Sequence, residues 1–167
     1  MDTDSTKPSD ITALPAAGIS ETLGLLEFLD DNGGKQQVYK LAYELSIDTD
    51  VLLTTLKAAE IFGFIEPLTK EVVLTKLGKS MIETEMNTKK QLLLEQLRKI
   101  AVFERVKEYL ENEEERRISK DALMSKLQAL MPNEKAEDQF ETLINWGRWG
   151  EFLGYSKDDD MIYLDQG

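Results

Sequence analysis

The chain has 167 residues, with 32 Asp and Glu against 20 Lys and Arg, for a formal net charge of −12, and it contains no Cys and no His. These facts exclude a disulfide framework, zinc sites of the Cys/His type, and Ser-His-Asp or Cys-His catalysis, whose base is missing. A net polyanion also disfavours general affinity for nucleic acid unless one basic face is set apart.

Residues 1–19 are rich in Ser, Thr, Asp, Pro and Ala, with Pro8 and Pro15, and lack helical or strand periodicity. They read as a flexible lead-in. The opening Met-Asp-Thr-Asp-Ser-Thr-Lys has neither the basic nor the apolar region of a signal peptide, and the apolar runs are too short for a membrane span. The expectation is a soluble, cytoplasmic protein without direct membrane insertion.

Helical patterning starts at Ser20, a candidate N-cap, with Leu23, Leu26, Phe28 and Leu29 as the apolar stripe and Asp30-Asp31-Asn32-Gly33-Gly34 as the stop. A second helix near 36–45 carries Val38, Leu41, Ala42 and Leu45. After the turn Ser46–Asp50, a third runs about 51–62 with Leu52, Leu53, Leu56, Ala59 and Phe62 inward and Gly63 at C′. Phe64-Ile65-Glu66 and Glu71-Val72-Val73-Leu74 read as two short strands around Pro67, and Thr75 can cap a further helix through Met81. This is the order of a winged helix-turn-helix. Through the charge-dense 83–117, Leu93, Leu97, Ile100, Phe103, Val106 and Leu110 keep helical spacing, which predicts one or two long helices broken near Ala101-Val102.

The last third repeats the first. Leu25, Phe28 and Leu29 match Val106, Tyr109 and Leu110 at an offset of 81, and Leu41, Ala42 and Leu45 match Leu123, Met124 and Leu127 at 82. Leu56, Gly63 and Ile65 match Leu143, Gly150 and Phe152 at 87, and Val72-Val73 match Met161-Ile162 at 89. The fold class expected is therefore mainly α with small β-wings: tandem winged-helix units joined by a long helical segment. The boundaries read as 1–19 lead-in, 20–82 first unit, 83–102 linking helix and 103–167 second unit.

Charge argues against the DNA-binding use of such units. Residues 50–63 sum to −1 and residues 134–149 to −2, where a groove-reading helix needs Lys or Arg beside it. Gly78-Lys79-Ser80 resembles the end of a phosphate loop, but the Gly required five positions earlier is Val73. Asp158-Asp159-Asp160 lacks the Gly and Glu of a calcium loop and reads as a solvated hairpin tip. No residue set marks a catalytic, cofactor or metal site. The most unusual stretch is Asn145 to Phe152, where Trp146 and Trp149 stand three apart with Arg148 between them. One Trp suits the core, and the other, with Arg148, suits an interface anchor. Leu93 and Leu97 on the linking helix are the other candidate contact residues.

Five stretches carry a resemblance: Gly24–Gly34, Val38–Leu45, Ala58–Phe64, Leu74–Lys79 and Asn145–Glu151. In order and spacing they resemble the C-terminal AAA-associated domain that follows the ATPase domain in ATP-binding subunits of nitrate/sulfonate/bicarbonate-type ABC transporters. The resemblance implies a non-catalytic, regulatory appendage without a cofactor. It also implies a protein partner, either a transporter subunit or a second copy, and a cytoplasmic place peripheral to the inner membrane. The chain holds no Walker A, signature or Walker B segment, so no ATPase is expected within it. The competing expectations are a winged-helix transcription regulator and a sensor of small anions or other ligands.

Overall fold

In the computed structural model, residues 11–165 are described. The first helix, α1 (Ile19–Asp31), starts earlier than its capping chemistry suggests: the N-cap is Gly18, not Ser20. Burial of Ile19 sets the start, and the Thr22 hydroxyl supports it by donating to the Gly18 carbonyl at 2.8 Å. Next come β1 (Lys35–Gln37), α2 (Val38–Leu45) and α3 (Thr49–Ile61). The strand β1 sits where the second helix was expected to begin. Its backbone is claimed by a distant partner, β2 (Glu71–Val73), with Gln36 opposite Val72 in antiparallel register.

The helix α3 ends as Gly63 requires. Gly63 takes φ +78°, its N–H donates to the Glu60 carbonyl, and the Phe64 N–H reaches back to Ala59. This closes the helix in a Schellman motif, which needs a left-handed residue at C′. The expected strand at Phe64–Glu66 shrinks to one bridge, Ile65 with Leu74. The ladder stops because its next donor, the Leu68 N–H, is taken by the Glu60 carboxylate at 2.6 Å. Thr75 caps α4 (Lys76–Glu83), accepting from the Gly78 N–H at 3.0 Å and donating to the Gly63 carbonyl at 2.7 Å.

Beyond α5 (Met86–Leu97) and α6 (Ala101–Glu111), a 3-10 turn leads to β3 (Arg117–Ser119), α7 (Lys120–Leu130), α8 (Ala136–Trp149), β4 (Leu153–Ser156) and β5 (Met161–Leu164). The sheet order is β3-β5-β4, antiparallel throughout, with Ile162 opposite both Ile118 and Tyr155. The molecule is thus mainly helical with two small antiparallel sheets. The order α1-β1-α2-α3-β2 recurs as α6-β3-α7-α8-β4-β5.

Two compact units divide the chain. One runs from Pro15 to Gln96; the other begins at Leu97 and includes the described residues up to Leu14. The N-terminal unit centres on Leu26, Leu29, Leu41, Leu56, Phe62 and Phe64, with the two rings 5.3 Å apart. The C-terminal unit centres on Phe103, whose ring stacks on Trp146 at 6.5 Å and meets Phe152 edge-on at 5.3 Å.

Part of the expected flexible lead-in, residues 1–10, lies outside the described residues. The remainder departs from that reading, because Ile11, Leu14 and Ala17 are buried. The buried Gln139 amide clasps the Leu14 backbone at both ends, accepting from its N–H at 2.8 Å and donating to its carbonyl at 3.1 Å. A partner 125 positions away leaves no trace in local periodicity.

The two copies also align one residue differently from the sequence match. Helices α2 and α7 keep the offset of 82. Helices α3 and α8 require 88, which superimposes the buried sets Leu52, Thr55, Leu56, Ala58, Ala59 and Phe140, Leu143, Ile144, Trp146, Gly147. Strands β2 and β5 then follow at 90, with Val72 equivalent to Ile162. Gly150 is the C-cap of α8, not its C′ residue. The left-handed C′ position falls on Glu151, at φ +59°.

Candidate interaction site

The helix α8 is well matched to its own dipole, with Glu137 and Asp138 in the first turn and Arg148 in the last. Its inward face holds Phe140, Leu143 and Trp146. Trp146, expected as a candidate contact residue, is fully buried, so it plugs the core and offers no surface to a partner. Trp149 stands at the edge of that face, half-buried, and Arg148 is exposed. The pair splits into one core ring and one rim ring because residues three apart lie about 60° apart around a helix.

Trp149 and Arg148 line an open groove of about 710 Å³. Phe140, Ile144 and Trp149 supply apolar surface. Lys120, Arg148 and Lys157 bring positive charge, and Glu141 brings one carboxylate. The Lys120 ammonium lies 5.2 Å from the centre of the Phe140 ring, and that ring meets Tyr155 edge-on at 5.7 Å. Tyr155 Oη donates to Asp160 Oδ1 at 2.7 Å; this bond above all, with burial and the carboxylate's charge, raises the phenol pKa. Asp159 faces Arg117 at 3.5 Å. Two carboxylates of the expected acidic hairpin tip are therefore engaged within the unit.

A second surface lies on the N-terminal unit. Only Leu41 of the short helix α2 is buried. The helix presents a stripe of Tyr39 (67% exposed) and Tyr43 (84%), one turn apart, and beyond it the turn residue Ile47 (37%) and Val51 of α3 (55%) are exposed too. These are four of the six large hydrophobic side chains exposed among the described residues. Ile47 and Val51 also border an apolar hollow of about 280 Å³ with Leu25, Leu45 and Leu52. The four-residue spacing of the tyrosines is legible in the sequence, but the apolar set Val38, Leu41, Ala42 and Leu45 carries no signal that the opposite face of α2 is left uncovered. Leu93 and Leu97 are corrected in the opposite direction: both are fully buried, because the apolar stripe of the linking helices forms core.

Gly78-Lys79-Ser80 lies inside α4. The Gly78 N–H is taken by Thr75, and a Cβ at Gly78 would run into the Phe64 carbonyl oxygen. Its glycine serves a close approach of helix to backbone. Lys79 pairs with Asp30 at 2.8 Å and Glu83 at 3.3 Å. Hydrogen bonds to Asp30, foremost, and Glu83 raise the ammonium pKa. Among the described residues no group of three or more Asp and Glu is placed to hold a metal ion, and no helix is long and apolar enough to cross a membrane.

The family model described as the C-terminal AAA-associated domain matches residues 39–156. No curated protein and no solved structure matches the chain. The matched segment takes in α2 from Tyr39 onward, the strands β2, β3 and β4, and the whole of α8, while β1 and β5 fall outside it. Since it spans more than half of the sequence, the chain belongs to the C-terminal AAA-associated domain family.

Proposed function

We propose that this chain is a non-catalytic accessory module that acts by docking to protein. Its setting would be the ATP-binding subunit of an ABC transporter of the nitrate/sulfonate/bicarbonate type, at the cytoplasmic side of the inner membrane. The repeated order of helices and hairpins reads as two winged-helix units that present helices to protein instead of to DNA. The observation that carries this reading is the exposure of Tyr39 and Tyr43 one turn apart on α2, with Ile47 and Val51 exposed next along the chain. Exposed aromatic side chains on one helix face suit an interface, where Tyr is a favoured anchor.

Co-purification from the native cell tests it. Wild-type chain should recover transporter subunits, and Tyr39→Ser/Tyr43→Ser should lose them while keeping its melting temperature. Recovery of a second copy alone would make the stripe a homodimer face. Recovery of chromosomal DNA or RNA polymerase would instead favour the transcription-regulator reading. That alternative draws no support from α8, whose exposed Glu137, Asp138 and Glu141 outnumber Arg148. A small-anion sensor would be recognised by a rise in melting temperature with nitrate, sulfonates or bicarbonate.

A further inference from the structure

We propose that the groove on α8 receives an acidic peptide segment carrying an apolar side chain. The charge of the groove runs against that of the chain. The whole molecule is at −12, yet Lys120, Arg148 and Lys157 converge here against Glu141 alone. Among the described residues neither Arg148 nor Lys157 forms an ion pair, and both are exposed. The nearby Asp159 is paired with Arg117, and Asp160 keeps its charge but is held by the Tyr155 hydroxyl. Carboxylates supplied from outside would therefore meet cations that no internal partner has neutralised.

The apolar surface between those cations narrows the ligand class. The half-buried Trp149, with the outer edges of the buried Phe140 and Ile144, gives it an apolar floor that an inorganic anion would leave wetted, and a peptide side chain would cover. The groove is open along its length, whereas small-molecule sites enclose most of the ligand. A nucleic acid fits worse. Three cations neutralise few phosphates, and Glu137 and Asp138 stand exposed on the same helix. Electrostatic complementarity of this kind sets specificity and on-rate, with the apolar anchor supplying residence time. The residues are distinct from those of the α2 stripe, so the inference goes beyond the docking reading and can fail without it.

Selection from a random dodecamer peptide library on the full-length chain is the test. Arg148→Glu/Lys157→Glu serves as the counter-target, and Arg148→Gln/Lys157→Gln as a milder pair should the reversal unfold the unit. Enriched peptides should combine Asp or Glu with Leu, Ile, Phe or Trp. The leading synthetic peptide should change Trp149 fluorescence, with no change in Trp149→Phe, which retains Trp146. Its affinity should fall by about tenfold or more in the charge variant and decline as salt rises. Enrichment of neutral or basic peptides, or equal capture by the variants, would overturn the proposal. So would tighter binding of a single-stranded oligonucleotide of equal charge.

Discussion

The two units bury aromatic bulk one helical turn apart. At the offset of 88, Ala58 of α3 corresponds to Trp146 of α8, and Phe62 to Gly150. One unit places a small residue and then a ring on the inward face; the other places the ring first and the small residue second. Core volume is retained while its positions move, as expected where packing density is the constraint and the identity of each side chain is not. The units also differ in how they make left-handed turns. Gly33, Gly34 and Gly63 take positive φ in the first, beside one non-glycine, Ser46; Glu115, Arg116, Glu151 and Asp160, none of them glycine, do so in the second. At the equivalent positions the same path is followed with a permissive residue in one copy and against a steric cost in the other.

The largest effect expected on this comparison is at Trp146. Replacement by Ala, the residue of the other unit, should cost about 3–5 kcal/mol in chemical denaturation, as for other buried large-to-small changes. Trp149→Ala, at the half-buried rim, should cost about 1 kcal/mol or less, since little core volume is lost. Equal losses at the two positions would show that both rings pack alike. Next come the C′ residues, with opposite signs. Gly63→Ala should destabilise by about 1–2 kcal/mol, and Glu151→Gly should stabilise by about 1 kcal/mol, through the left-handed penalty. Thermal unfolding followed by circular dichroism reads both, and a loss at Glu151→Gly would show that its side chain makes a contact worth more than the relieved strain. Thr75→Ala should cost about 1 kcal/mol through the lost cap of α4.

The smallest effect concerns pH. Lys79 has its pKa raised by Asp30 and Glu83, so its contribution is complete below the unfolded value and disappears as pH rises through the folded one. Because the group is solvent-exposed, the stability loss should be slight and confined to strongly alkaline solution. Lys79→Met should remove that alkaline dependence and lower the neutral melting temperature slightly, by the contribution the ion pairs make there. A pH dependence unchanged by the substitution would assign it to other groups.

The helices of both units were legible because their apolar residues recur at helical spacing and their caps and glycines fall at the ends. The closing turn of α3 followed from Gly63 alone. What local pattern could not convey was pairing. Strand β1 is defined by residues near 72, and β3 by residues near 162. Matching Gly63 with Gly150 shifted one copy by a residue, because a glycine served as C′ in one unit and as C-cap in the other. Of the expected contact residues, Arg148 and Trp149 lie on a surface, while Trp146, Leu93 and Leu97 are interior. Periodicity identifies an apolar face without saying whether the chain itself covers it.

The Gln139 clasp on Leu14 has a consequence for synthesis. The strap it holds leaves the ribosome before the amide that grips it, which comes 125 positions later. Ile11 and Leu14 must therefore wait, apolar and unshielded, while the whole Pro15–Gln96 unit is made and folds between them and their seat. Locking of the strap is a late event of high sequence separation, and a truncated form starting at Leu97 would lack it altogether.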